Sequence, residues 1–234
     1  MTRTLLIDAD IFAYEAAAGV EHAAKWDDQH WTYFANEDEA KAHLNDRLSG
    51  LMKELEGDRM IVAMTDKENW RHDVMPAYKA NRAGVRRPIL LEYLKEYIRE
   101  EYETFERPTL EADDILGILA SHPSDKYGDE KIIVTKDKDL KTVPGLHFEM
   151  DKRKVFGVSE AEANWWHMYQ TLTGDTVDGY PGCPGVGTLV AQEILDKGLM
   201  VHQGTKELKS GPNKGKERTY WETIEALDTW TAIV

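Results

Sequence analysis

TLLIDADIFAYEAAAG, residues 4–19, is the stretch on which the fold turns. Residues 4–7 form a short apolar run of β type that stops at Asp8, and residues 11–18 read as a helix closed by Gly19. A strand therefore delivers a carboxylate at its C-terminal end and hands the chain to a helix. Residues 60–64 are a second apolar run, ending at Thr65 and Asp66, and residues 131–134 are a third, followed by Asp137 and Asp139. Between them Ala40, Leu44, Leu48, Leu51 and Leu55 recur every three or four residues, the spacing of an amphipathic helix, which Gly57 closes. Pro88 opens a further helix with Leu90, Leu91, Leu94 and Ile98 on its apolar side. Thr109 is placed to cap another, whose first turn holds Glu111, Asp113 and Asp114. Strands alternating with helices predict an α/β fold with a doubly wound, mainly parallel sheet, in which ligands bind at the carboxyl ends of the strands. Residues 21–34 mix aromatic and charged residues without a period and receive no assignment.

With 234 residues, 41% of them hydrophobic, the chain can bury a large core and add a small helical appendage. The single cysteine, Cys183, excludes a disulfide framework and a cysteine zinc site and points to a reducing compartment. No signal peptide and no membrane-length apolar run is visible, so a cytoplasmic protein with no membrane partner is expected. The net charge of −14 argues at first against nucleic acid, but the imbalance is local. Residues 74–91 contain no acid while Lys79, Arg82, Arg86 and Arg87 are basic. Lys206, Lys209, Lys214, Lys216 and Arg218, opposed only by Glu207 and Glu217, read as a mobile basic loop. Acid gathered in one place and base in two others fits a metal centre served by phosphate-contacting arms.

Residues 174–187, GDTVDGYPGCPGVG, set Asp175 and Asp178 three residues apart and run into a glycine-rich turn before a helix at residues 188–196. The two acids suit a hard metal, and Gly182, Gly185 and Gly187 permit the close backbone approach that presents N–H groups to a phosphate. Together with a helical stretch through Trp165, Trp166 and Tyr169, this turn marks a small helical domain, giving expected boundaries of 1–158 and 159–234. So many carboxylates need divalent cations to hold them together, and an all-oxygen donor set favours two Mg²⁺ or Mn²⁺ ions over Zn²⁺. Two such ions can activate water and stabilise the charge of an in-line displacement at phosphorus.

Taken in order, LLIDADIFAY, TDKENWRHDVMPAYKANR, EADD, TKDKDL and GDTVDGYPGCPGVG resemble the motifs of the phage and bacterial 5′-nucleases, which include flap endonucleases and the 5′→3′ exonuclease domain of DNA polymerase I. The resemblance implies a PIN-like sheet with a helical arch, followed by a helix-three-turn-helix domain. It implies that Asp8, Asp66, Glu111 and Asp113 hold one metal ion and Asp137, Asp139, Asp175 and Asp178 a second, with Asp113 and Asp114 near both. Asp10 reads instead as structural, as a cap of the following helix. Lys79 and Arg82 resemble the basic pair that touches the scissile phosphate, Tyr78 the aromatic on which a terminal base stacks, and Arg71, Arg86 and Arg87 further DNA contacts. Gly182, Gly185, Val186 and Gly187 resemble the turn that grips duplex phosphates and can hold K⁺ on its carbonyls. Cys183 stands where many relatives have an apolar residue and reads as packing. The implied activity is metal-dependent hydrolysis of DNA at or near free 5′ ends, flaps or overhangs, with 5′-phosphate products; RNA or RNA/DNA hybrid shares the same chemistry, and a monomer is expected.

Two other readings compete. LLIDAD and GDTVD loosely resemble the haloacid dehalogenase-like phosphatases, with Asp8 as nucleophile, although the GDxxD spacing is one residue short and leaves Lys79, Tyr78 and Arg82 unexplained. A non-catalytic module that grips branched DNA predicts missing acids, yet every acid of the pattern is present.

Overall fold

A computed structural model describes residues 1–123 and 125–225. In chain order the elements are β1 (Arg3–Asp8), α1 (Ala9–Gly19), β2 (His22–Lys25), β3 (Trp31–Phe34), α2 (Glu37–Glu54), β4 (Arg59–Ala63), α3 (Arg71–Val74), α4 (Leu91–Glu101), β5 (Thr104–Phe105), α5 (Ala112–Ser121), β6 (Glu130–Thr135), β7 (Gly145–Glu149), β8 (Lys154–Val158), α6 (Glu160–Thr173), α7 (Thr188–Lys197), β9 (Leu199–Glu207) and β10 (Glu217–Glu225). The chain divides into two compact units. The first comprises Met1–Pro76 and Gly84–Glu160, and the second comprises Ala77–Ala83 and residues from Ala161 onward. Residues 226–234, the end of the second expected domain, lie outside the described residues.

The first unit is built on a six-stranded sheet of order β5-β4-β1-β6-β7-β8, parallel throughout except for the antiparallel β7–β8 pair. β1 is central, and Leu5, Leu6 and Ile7 are fully buried. Leu5 and Ile7 pack with Phe12, Ala13 and Ala16 of α1, Leu44 and Leu48 of α2, and Leu94 and Ile98 of α4. Leu6 faces the other way, onto Ile115, Leu116 and Leu119 of α5. A strand covered on both faces reads as a continuous apolar run without alternation, as this one does. Each such side chain contributes roughly 1.5–3 kcal/mol on burial, so the sheet that positions Asp8 is among the most strongly held parts of the unit.

Residues 21–34, which carried no period, form the antiparallel β2–β3 hairpin. Its turn is fixed by Asp27, whose Oδ1 accepts from the N–H groups of Gln29 (2.8 Å) and His30 (2.9 Å). The hairpin exposes Trp26, Trp31 and Phe34, so neither face buries a stripe that a pattern could have announced. Three boundaries also differ from expectation. The helix after Pro88 begins at Leu91. α5 is capped by Glu111, not Thr109, which has a left-handed φ of 66°. Between β4 and α4 the expected arch contains only α3 and a 3₁₀ turn at Ala80–Arg82, interrupted by Pro76 and Gly84.

In the second unit α6 and α7 pack through Met168, Leu172, Val186, Ala191, Ile194 and Leu195. The stretch expected as a basic loop is mostly strand: β9 runs through Lys206 and β10 includes Arg218, leaving residues 208–216 as the turn of an antiparallel ribbon.

Candidate active site and nucleic-acid interface

In the first unit, the carboxyl ends of the parallel strands present the acids. Asp8 ends β1, is 4% exposed, and accepts from Thr135 Oγ1 at 3.0 Å and from Ile11 N at 3.4 Å. Burial, with the charge of Asp10 and a smaller push from Asp137, raises its carboxyl to about 7 against the opposing pull of those two hydrogen bonds. Asp8 itself is the N-cap of α1. The capping role expected for Asp10 therefore belongs to its neighbour, because the helix starts one residue after the strand ends. Asp10 is structural by another route: it accepts from Thr65 N at 2.9 Å and pairs with Lys95 at 2.6 Å.

Asp137 accepts from Asp139 N at 2.8 Å, while its own N–H donates to Thr135 Oγ1 at 3.0 Å, so the threonine hydroxyl links the β6 end to Asp8. Asp66 accepts from Thr109 N at 2.8 Å, and this with the N–H groups of Lys67 and Glu68 holds its carboxyl low. At the start of α5 Glu111 is buried, while Asp113 and Asp114 are half-buried. Asp114 reaches back to Glu111 N at 3.0 Å and takes a bidentate contact from Arg71 at 2.7 and 2.8 Å. Burial raises the Asp114 carboxyl, but Arg71 and the Glu111 N–H outweigh it and the net shift is downward. Arg71 also lies 3.4 Å from Glu111. Among the described residues no group of three His, Cys, Asp or Glu side chains is set in a metal-holding arrangement. The donor set nevertheless suits a hard cation, since it is all oxygen and its most buried member is driven toward protonation by its burial and, second, by a neighbouring acid, both of which a cation would offset.

In the second unit, Ala77–Ala83 lies against residues 174–180. Lys79 N donates to Asp178 O at 3.0 Å, and Asn81 Nδ2 donates to Val177 O at 3.1 Å. Tyr78 OH donates to Asp178 Oδ2 at 3.2 Å, and Arg82 Nη2 and Lys79 Nζ lie 3.3 and 3.9 Å from Asp178 Oδ1. The two cations expected at the scissile phosphate thus share one carboxylate. Asp175 is fixed by a reciprocal pair of 2.8 Å backbone bonds with Tyr180, and its side chain accepts from Val177 N at 2.8 Å.

Two glycines make this turn possible. Gly174 and Gly182 both have positive φ, 74° and 67°, and cross so closely that a Cβ on Gly174 would sit 2.5 Å from Gly182 N, and one on Gly182 2.3 Å from Gly174 N. Gly174→Ala and Gly182→Ala are each expected to destabilise the second unit by at least about 3 kcal/mol, whereas Gly185→Ala, at positive φ in open space, costs about 1 kcal/mol. Thermal unfolding of the three variants checks the order. Gly187 caps α7 without a side chain, which leaves the first N–H groups of the helix open to an anion.

The expected DNA contacts lie in different surroundings. Tyr78 is 6% exposed, so its ring offers no open face for a base. Val186 is buried in the α6–α7 core. Arg86 pairs with Glu21 and lies 3.8 Å over the Tyr33 ring, and Arg87 is exposed with Glu92 at 3.8 Å. Gly185 and Gly187 are exposed and Gly182 half-buried. Burial raises the Cys183 thiol, which packs against the α6–α7 core as a small apolar group. Lys95 and Asn81 were missed from sequence; Asn81 sits inside AYKANR between the two cations, and that position was the available signal.

The α/β fold with its mostly parallel six-stranded sheet is similar to that of the phage T5 5′-exonuclease. Its zinc-bound structure aligns with a TM-score of 0.64 at 18% identity, covering 84% of this chain and 76% of that one. A T5 flap endonuclease complex with DNA and metal ions aligns at 0.60 and 17% identity, covering 83% and 74%. Residues 3–164 match the family model of the 5′-3′ exonuclease N-terminal resolvase-like domain, and the chain belongs to that family. The exonuclease of Escherichia phage T7 is 35% identical over 224 residues, covering 93% of this chain and 74% of the relative. The exodeoxyribonuclease of Enterobacteria phage T3 is 34% identical over 239 residues, covering 98% and 79%. No helix among the described residues is long and apolar enough to cross a membrane.

Proposed function

We propose that the chain is a Mg²⁺- or Mn²⁺-dependent 5′→3′ exodeoxyribonuclease and flap endonuclease that releases 5′-phosphate products. The observation that carries this reading is Asp8, a carboxylate at the sheet's carboxyl edge whose burial, and after it a neighbouring acid, favour protonation, in a chain of exonuclease kinship. In the first unit Asp8, Asp66, Glu111, Asp113, Asp114, Asp137 and Asp139 are the candidate donors to two ions, and in the second Asp175 and Asp178. Bound ions would supply water activation and charge neutralisation at phosphorus. Thr135 orients Asp8 through its hydroxyl, and Asp137 is oriented in turn by the Asp139 N–H.

Lys79 and Arg82 are the proposed donors to the scissile phosphate. Their shared hold on Asp178 keeps both side chains gathered at one point, and a metal that claims this carboxylate, or a phosphate that competes with it, frees them to bond the substrate. The glycine-lined turn and the open N-terminus of α7 are proposed to hold a duplex phosphate, with K⁺ on the turn carbonyls. DNA is the proposed substrate, with RNA strands sharing the site.

The test is cleavage of 5′-labelled duplex, overhang and flap DNA by the purified protein. Short 5′-phosphate products that form with Mg²⁺ or Mn²⁺ and vanish in chelator are expected. Intact substrate under all metal conditions would sink the enzymatic reading.

A further inference from the structure

The β9–β10 ribbon concentrates base in an acidic protein: residues 204–218 hold five cations and two acids, in a chain of net charge −14. We infer that the end of this ribbon is a second contact for duplex DNA, gripping phosphates apart from the 182–187 turn. The inference rests on the nuclease reading only in taking DNA as the ligand.

The ribbon's register sorts its charges. Arg218 lies directly opposite Lys206 and Glu217 opposite Glu207, so successive cross-strand pairs put the two cations on one face and the two acids on the other. A phosphate on the face that carries Lys206 and Arg218 meets two cations at once. Beyond this pair the turn carries Lys209, Lys214 and Lys216, all exposed. It is an ordered turn: Leu208 N donates to Lys216 O at 3.0 Å, Gly215 N to Leu208 O at 2.9 Å, and Lys214 N to Gly211 O at 3.1 Å. Nine residues of β9 at about 3.3 Å each carry the turn roughly 30 Å from the end of α7.

Single-stranded nucleic acid is held by aromatic side chains on which bases stack. The turn, residues 208–216, contains none, and Tyr220 and Trp221 come further along β10, while a two-stranded ribbon has the width of a duplex groove. The chemistry that fits is backbone charge on a duplex, read without regard to sequence.

Full-length Lys209→Gln/Lys214→Gln/Lys216→Gln protein tests this against native protein and against Lys53→Gln/Lys152→Gln/Lys154→Gln, which changes net charge equally elsewhere. Duplex affinity is measured by fluorescence anisotropy across 50–300 mM salt with Ca²⁺, and KM and kcat with Mg²⁺. The ribbon variant is expected to bind duplex at least about tenfold more weakly at 0.1 M salt, with a salt slope shallower by nearly three, and to lose activity through KM. Equal behaviour of the ribbon and control variants would overturn the inference, as would a larger loss on single strands than on duplex. Native protein that neither binds nor cuts DNA would overturn the nuclease reading instead, a result separable from either.

Discussion

Lys79→Ala is expected to lower kcat on a 5′-flap substrate by two to three orders of magnitude while duplex affinity in Ca²⁺ stays within about threefold. The proposed role is electrostatic stabilisation of the reacting phosphate, which contributes only when charge develops there. The structure restricts what else the side chain can do. Its ammonium is 3.9 Å from Asp178, beside a second cation, Arg82, and 4.8 Å from the Tyr78 ring centre. Lys79 adopts a left-handed φ of 53°, a strain that alanine shares, so the substitution changes the charge without relieving the backbone. Arg82 and Tyr78 still hold Asp178, and the unfolding temperature should move little. Single-turnover kinetics with anisotropy binding make the check: parallel losses of affinity and rate would assign Lys79 to binding and contradict a role confined to the chemical step.

Asp8→Asn is expected to abolish cleavage and, in the metal-free protein, to remove a specific pH dependence of stability. The native carboxyl is raised to about 7 in the fold, whereas an unfolded aspartate titrates near its ordinary value of 3.8. Between those values the folded state holds a proton that the unfolded state has lost, so stability falls as pH rises across the window, by up to about 1.4 kcal/mol per pH unit. Divalent cations favour the ionised carboxylate and should flatten or reverse the slope. Asparagine has one side-chain oxygen where Asp8 uses two, so it can keep the N-cap bond from Ile11 N only by turning its amide NH₂ toward Thr135 Oγ1, and it does not ionise. Unfolding temperatures from pH 5 to 8, in chelator and in Mg²⁺, provide the comparison. A native slope that persists in Asp8→Asn would place the titrating group elsewhere.

Much of the rim was legible because it sits at the ends of buried elements. β1, β4 and β6 are covered on both faces, so each shows an apolar run that stops where the backbone emerges, and Asp8, Asp66, Asp137 and Asp139 follow those stops. The β2–β3 hairpin left no trace because it buries neither face, and its turn depends on one Asx contact at Asp27. Long-range pairing was equally hidden. Arg71 grips Asp114, 43 residues away, and no local pattern links the two. Tyr78 was read as an aromatic on which a terminal base stacks, but it is buried, with its hydroxyl on Asp178 of the 174–180 turn. The basic stretch read as a loop because glycine, proline and lysine dominate residues 208–216, although the residues flanking it extend two paired strands.

The most direct test is cleavage of a 5′-fluorescent single-flap DNA with Mg²⁺, beside the same DNA whose 5′ end carries a bulky bound protein. Rapid, metal-dependent release of the label from the free flap, lost when the end is blocked, is the predicted result. Cutting that proceeds equally on the blocked flap would contradict an enzyme that acts from free 5′ ends.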